Sequence, residues 1–160
     1  MRRTGFKRPE YQPPPPAPLR PLQRPVVLAR LTDQAQALPK TVAKRNRALL
    51  DMARGRQCLV RAPGVGLHPV DTTVACHSNL AEHGKAGARK ADDHYSVWGC
   101  FACHTWLDQG ATDAVVKAAV FDQALALQID AWRQVASNPA EPERLRRAAR
   151  WALSQHGTPA

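Results

Sequence analysis

The last third of the chain shows the hydrophobic period of an amphipathic helix. Between residues 113 and 136, apolar residues recur every three or four positions, which places them on one helical face. These positions are Ala114, Ala118, Phe121, Leu125, Ile129 and Trp132. Thr112 can cap the helix, and Asn138-Pro139 ends it. We expect the stripe to pack in the core or to form a homodimer interface.

A second, shorter helix is predicted to follow. Pro142 suits the start of a helix, and Gly157 suits the position after its end. Leu145, Ala149 and Ala152 supply its apolar side. The sequence therefore predicts a helical extension over residues 113–157.

The middle of the chain predicts one helix and several short strands. Thr41 is a suitable N-cap for a helix over residues 42–54, and Gly55 can end it. Residues 59–60 suit a short strand before the Pro63-Gly64 turn. Apolar and β-branched residues predict two more strands near residues 72–77 and 95–98. A further helix is expected beyond Cys103, so the pattern favours an α+β fold.

The first 40 residues show no such pattern. They contain nine of the 14 prolines, and proline without an apolar period predicts a disordered arm. Residues 1–57 hold 13 lysines and arginines against three acidic residues, which accounts for the whole net charge of +10. A basic arm on a near-neutral body suggests an electrostatic tether for DNA, and a merely solvated tail is the alternative.

The expected compartment is the cytoplasm. The sequence contains no apolar signal segment and no run of about 18 apolar residues that could span a membrane. We therefore expect no membrane partner. In a reducing compartment, four cysteines are metal ligands or buried residues rather than disulfides.

Cys100 and Cys103 form a Cys-x-x-Cys pair. Such a pair can hold one metal ion from a tight turn, because Zn²⁺ takes thiolates in a tetrahedral shell. Cys58 is the candidate third ligand. The fourth ligand is either His68 or Cys76. The sequence thus predicts one structural zinc.

A second group of residues suggests chemistry beside that zinc. His104 and Asp108 are four residues apart, on one face of the predicted helix, where an imidazole and a carboxylate suit a divalent cation. His77 ends a predicted strand and suits a general base, because histidine titrates near neutrality. The loop that follows could contact phosphates or simply connect two strands. Its candidate contacts are Lys85, Arg89 and Lys90.

The order strand–His, loop, strand, Cys-x-x-Cys-His, helix resembles the HNH (ββα-metal) endonucleases. The form it resembles is the treble clef, in which a structural zinc supports the ββα unit. More specifically, the chain is similar to the YbcO family of small nucleases of phages and prophages. The resemblance covers about residues 45–112. The matching stretches are residues 53–58 and 61–65, Thr73-Val74 with His77, Lys90 with Asp93, and residues 100–104 with Asp108.

The resemblance implies hydrolysis of a phosphodiester bond in DNA. His77 would deprotonate the water that attacks phosphorus, and Asn79 would orient His77 or a phosphate. Mg²⁺ or another divalent cation on His104 and Asp108 would stabilise the developing charge and the departing 3′ oxygen. The basic loop would clamp the backbone.

Two departures from the family pattern are visible. Gly66 stands where the family has a cysteine, so His68 can complete a Cys₃His set in its place. Many HNH enzymes have a metal-binding Asp or His just before the base, and here that position is Cys76. Their middle Asn would fall near His94 or Tyr95, and neither residue does the same job.

The combined prediction is an α+β protein of three parts. Residues 1–40 are a disordered, basic, Pro-rich arm, residues 41–112 a zinc-supported treble-clef/HNH-like ββα nuclease domain, and residues 113–157 a helical extension. The predicted function is that of a metal-dependent DNA endonuclease of phage or prophage type. One alternative is a non-catalytic zinc module that binds DNA or a phage recombination or packaging protein. Another is an adaptor that binds proteins through the polyproline arm.

Overall fold

A two-stranded antiparallel sheet and four α-helices make up the described part of the chain. The structure is a computed structural model that describes residues 42–157, so the predicted arm lies outside it. The elements are α1 (Arg47–Asp51), β1 (Val74–His77), β2 (Ser96–Gly99), α2 (Phe101–Gln109), α3 (Ala114–Ser137) and α4 (Glu143–Gln155), with short 3₁₀ turns at Val70–Thr72 and Ala81–His83. The prediction of a mixed α+β fold is confirmed.

The two strands form the centre of a ββα arrangement. β1 pairs with β2 so that Val74 lies opposite Gly99 and His77 opposite Ser96. Side chains alternate between the two faces of a strand, so Cys76 is fully buried while the neighbouring His77 lies on the opposite face. All four residues of β2 are buried, and α2 starts two residues after β2 ends.

Helix α1 is shorter than the sequence predicts. Asn46, rather than Thr41, caps it, and the helix begins only at residue 47. The reason is that the preceding segment is held in an extended conformation by the loop before β2. The backbone N–H of Lys44 donates to Asp92 Oδ1 at 3.2 Å, and that of Asn46 donates to Asp93 Oδ2 at 2.7 Å. These carboxylates compete with helix formation for the backbone donors.

The two long C-terminal helices occur where the sequence predicts them, although their caps and buried faces differ. Asp113, not Thr112, caps α3 through a bond from the Val115 N–H at 2.7 Å. The buried positions of α3 are Phe121, Ala124, Gln128, Trp132 and Val135. No helix within residues 42–157 has both the length and the apolar character needed to cross a membrane.

Gln128 was not expected in the core, because the predicted stripe contains apolar residues alone. Its side chain is fully buried, and its Oε1 accepts a hydrogen bond from the Trp98 N–H at 2.8 Å. The amide thus satisfies a backbone donor of β2 that would otherwise be unpaired in the core. At the same residue, the Leu59 N–H donates to the Trp98 carbonyl at 2.8 Å, but no strand forms at residues 59–60.

The hydrophobic core has two clusters. The first joins α1, β2, α3 and α4, with Leu49, Trp98, Trp132 and Leu153 among its buried members. The second surrounds the cysteines and includes Val97, Leu107 and Phe121. Burying a side chain as large as leucine stabilises a fold by about 1.5–3 kcal/mol. Helices α3 and α4 are therefore part of the same core as β2, as the packing interpretation of the stripe expects.

A cluster of aromatic rings joins the end of α4 to the start of β2. His94 is only 3% exposed, and its Nδ1 has no hydrogen-bond partner within residues 42–157. The ring lies 4.3 Å from that of Tyr95 and 5.3 Å from that of His156. Burial lowers the pKa of His94 to about 4, and nearby His156 and Lys44 add to the shift against a weaker opposing effect of Asp92 and Asp93. The imidazole of His94 is therefore neutral at pH 7.

This depressed pKa predicts a loss of stability in mild acid. As the pH falls below about 6.5, His94 becomes protonated in the unfolded chain but stays neutral in the folded chain. The free energy of unfolding therefore falls. The fall continues until the folded pKa of about 4 and reaches at most about 3 kcal/mol. Urea unfolding at pH 7.5 and pH 4.5 measures it. We expect the free energy of unfolding to fall less in His94→Phe than in wild type. An equal fall in the two proteins would contradict the assignment of this acid sensitivity to His94.

Candidate metal centre and active-site cleft

Four side chains converge on one point beside the start of α2. The ligand atoms of Cys58, His68, Cys100 and Cys103 all lie within 4.8 Å of one another. His68 Nδ1 lies 3.5 Å from Cys100 Sγ and 3.4 Å from Cys103 Sγ. In a tetrahedral shell with ordinary Zn–S and Zn–N bond lengths, sulfur and nitrogen are about 3.6 Å apart. The group therefore fits one zinc ion coordinated by three cysteines and one histidine, a Cys₃His site.

Local structure explains how these residues meet. Cys100 is the N-cap residue of α2, and Cys103 lies one turn further along. The loop after α1 brings the other two ligands, and it turns at Gly64, whose φ of +80° favours glycine. The backbone N–H of Ala62 donates to Cys103 Sγ at 3.4 Å. Burial raises the pKa of the Cys103 thiol to about 12, so a bound cation is what would make it a thiolate.

Cys76, the alternative fourth ligand, is not in this group. It is fully buried in β1, and its Sγ lies 3.8 Å from the carbonyl oxygens of Val74 and Gly99. A Cβ at Gly99 would lie only 2.6 Å from that sulfur, so glycine is required there. Burial raises the pKa of Cys76. Cys76 therefore behaves as a packing residue, and His68 is the fourth candidate ligand.

A cleft of about 410 Å³ lies on the face of β1 that carries His77. Four of the residues predicted for catalysis or for the second metal line it: His77, Asn79, His104 and Asp108. Four cations also line it: Arg47, Arg54, Lys85 and Lys90. The structure thus brings together residues from α1, β1, the loop after β1 and α2 in one open depression.

His77 is held by a buried carboxylate that the sequence analysis did not assign to the site. His77 Nε2 lies 3.1 Å from Asp93 Oδ1, and Asp93 is only 2% exposed. Asp93 also accepts bonds from Arg45 Nη1 at 2.9 Å and the Asn46 N–H at 2.7 Å. Burial alone would raise the pKa of Asp93, but the bonds from His77, Asn46 and Arg45 outweigh it and lower the pKa.

An ionised Asp93 determines which nitrogen of His77 carries the proton. A carboxylate only accepts hydrogen bonds, so we infer that Nε2 is the protonated nitrogen of neutral His77. The other nitrogen, Nδ1, makes no hydrogen bond to any residue in the described part of the chain. It can therefore accept a proton from a water in the cleft.

His104 and Asp108 form the second pair in the cleft. His104 Nε2 lies 3.2 Å from Asp108 Oδ2, and Asn79 Nδ2 donates to Asp108 Oδ1 at 2.8 Å. Neighbouring ligands of an octahedral Mg²⁺ are about 3 Å apart, so the spacing fits a shared cation. Among residues 42–157, the Cys₃His group is the one cluster of three or more metal-ligand side chains. The cleft pair thus offers two ligands.

The predicted phosphate contacts separate into two kinds. Lys85 and Lys90 line the cleft. Arg89 does not, because its Nη2 donates to Asp92 Oδ1 at 3.2 Å and its side chain is 29% exposed. Arg47 and Arg54, from the basic helix α1 and the turn after it, also line the cleft. Contact of Arg89 with phosphate stays a prediction.

The metal centre gives a test by elemental analysis. We expect about one zinc per chain, and Cys100→Ala should lose both zinc and folded structure, because metal-binding energy is folding energy in such sites. Cys76→Ala is the matched control, since it removes a buried thiol outside the group and should keep the zinc. Zinc retained in His68→Ala but lost in Cys76→Ala would contradict the ligand set.

Comparison with known proteins identifies one family. The family described as Putative nuclease YbcO matches residues 47–135, which is more than half of the 160 residues. The match runs from α1 into α3 and includes the Cys₃His group and the cleft residues on β1 and α2. No curated protein and no solved structure matches the chain. The chain therefore belongs to the YbcO family.

Proposed function

We propose that the protein is a metal-dependent DNA endonuclease of the HNH type. The proposal rests on the cleft. His77, which is hydrogen-bonded to Asp93, lines this cleft together with His104 and Asp108. The order β1, β2, α2 with a Cys₃His group at the start of α2 supports a treble-clef ββα unit. The phage or prophage type follows from the resemblance to the YbcO family.

His77 is the proposed general base. Its Nδ1 takes a proton from a water, which then attacks the phosphorus of a bound phosphodiester. Asp93 holds the ring through Nε2 and stabilises the imidazolium that forms, because it is ionised and buried. A positioned base of this kind contributes about 10²–10⁴-fold in rate.

His104 and Asp108 are the proposed ligands of a catalytic divalent cation. When bound, such an ion neutralises charge on the phosphoryl group and on the departing 3′ oxygen. Two protein ligands suffice for Mg²⁺, which commonly keeps waters and binds substrate phosphate directly. Asn79 fixes Asp108 by donating to Oδ1. Its proposed role is therefore to orient the metal ligand rather than His77.

The cleft cations are the proposed backbone contacts. Arg47, Arg54, Lys85 and Lys90 surround His77 with positive charge, which attracts a polyanion without reading its sequence. Residues 1–40 carry further positive charge and would act as an additional tether. Contacts of this kind position the substrate, while the cleft performs the chemistry.

A second candidate function is a non-catalytic zinc module that binds DNA or a phage recombination or packaging protein. The observation in its favour is the small number of cleft ligands. Cys76 occupies the place of an expected metal ligand but is buried on the opposite face of β1. The cleft would then be only an anion-binding surface.

Nicking of supercoiled plasmid with Mg²⁺ or Mn²⁺ separates the two functions. His77→Ala should lower the nicking rate by about 10²–10⁴-fold, while zinc content and DNA affinity stay at the wild-type level. Added imidazole should restore part of the rate, because it replaces the missing base. Asp108→Ala is the contrasting variant: it should need more divalent ion and should not respond to imidazole.

The binding-module function predicts a different result. Wild-type protein would then bind DNA but would not cleave supercoiled, linear or branched DNA with Mg²⁺, Mn²⁺, Ni²⁺ or Zn²⁺. That outcome would contradict the endonuclease proposal. Equal nicking by wild type and His77→Ala would contradict the assignment of the base.

A further inference from the structure

Helix α4 has a strongly basic exposed side that the proposed mechanism does not use. Its buried side consists of Ala148, Ala149, Ala152 and Leu153, which pack in the core cluster with α1 and α3. The helix also carries four arginines and a single acid. These are Arg144, Arg146, Arg147 and Arg150, with Glu143. The family match ends at residue 135, so nothing in that match accounts for this charge.

A single carboxylate links the arginines of α4 to the catalytic cleft. Asp51, on α1, accepts from Arg47 Nε at 3.0 Å through Oδ1 and from Arg144 Nη2 at 3.0 Å through Oδ2. Asp51 and Arg47 both line the cleft. Arg144 therefore lies one side chain beyond the cleft rim, and the positive surface continues from the cleft across α1 onto α4.

The positive charge of this surface is only partly neutralised by acidic side chains. Two guanidinium groups share the one carboxylate of Asp51, so a net positive charge remains, and the Arg144 side chain is 59% exposed. Arg147 is exposed and forms no ion pair with any residue between 42 and 157. Arg144 and Arg147 are three residues apart, so they lie on the same side of the helix. Two partly unpaired cations thus face solvent together.

We propose that Arg144 and Arg147 are a second contact for the DNA backbone, outside the catalytic cleft. In this arrangement, which rests on the proposed endonuclease function, DNA bound at His77 extends over α1 and its phosphates reach α4. Guanidinium groups suit phosphate oxygens because their planar donors match them in pairs. The contact is with phosphates alone, so it raises affinity without sequence preference. Its consequence is a footprint longer than the cleft.

Duplex binding measured without divalent ion tests this contact on the full-length chain. The variant is Arg144→Gln/Arg147→Gln, and Arg133→Gln is the matched control, an exposed arginine of α3 that does not line the cleft. Loss of two phosphate contacts should reduce the slope of log K against log salt by about 1.8 and weaken binding at 0.15 M salt by about 30-fold. The control should match wild type in both quantities.

Duplex length provides the second readout. A duplex just long enough to fill the cleft should bind wild type and the double variant equally, whereas a 30-bp duplex should distinguish them. The thermal midpoint should change little, because exposed ion pairs contribute about 0–1 kcal/mol.

Unchanged affinity and salt slope in the double variant, with wild-type binding intact, would overturn this inference and leave the endonuclease proposal standing. They would assign the arginines to another partner, such as an acidic protein. Failure of wild-type protein to bind or nick DNA would instead overturn both proposals.

Discussion

The buried carboxylate of Asp93 connects the fold to the cleft. It accepts hydrogen bonds from His77, from Arg45 and from the backbone of Asn46, and thereby ties β1 to the segment that leads into α1. A buried charge left without any partner costs about 3–5 kcal/mol. The bonds from Arg45 and Asn46 keep Asp93 partnered even when His77 is removed. The same bonds that keep the carboxylate ionised also hold the His77 ring in one orientation and one tautomer. Stability and the geometry of the proposed base therefore have a common origin.

Helix α2 links the metal centre to the cleft in a similar way. Cys100 and Cys103 hold the start of the helix against the loop that carries Cys58 and His68. Successive residues of a helix point about 100° apart, so Cys103 faces the metal group while His104 faces the cleft. A zinc ion at the Cys₃His group would fix the first turn of α2 and, through it, the direction of His104 and Asp108. A structural metal can thus orient the proposed catalytic pair without touching it.

Much of the site could be predicted because its signals are local in sequence. Cys-x-x-Cys and the i, i+4 spacing of His104 and Asp108 depend only on helix and turn geometry, and the positions of β1 and β2 follow from their β-branched and apolar residues. The extent of α1 could not be predicted in this way. Lys44 and Asn46 are held by acids about 48 residues away, and no local pattern encodes that pairing.

The same limit explains why Asp93 and Gln128 were missed. Asp93 was noted only as part of a matching stretch, because its partners lie 16 and 48 residues away. Gln128 is absent from the predicted apolar stripe, although its amide satisfies a backbone donor in the core. For Asp93 and Gln128 a hydrogen bond to a partner distant in sequence outweighs the usual preference of a polar residue for the surface.

The ends of the DNA strand at a nick test the central claim most directly. If the water activated by His77 attacks phosphorus and the 3′ oxygen departs, each nick carries a 3′-hydroxyl and a 5′-phosphate. DNA ligase should then reseal plasmid nicked by the wild-type protein with no prior treatment of the ends. Nicks that ligase cannot seal until the ends are repaired, or the absence of nicks with every divalent ion, would contradict the account.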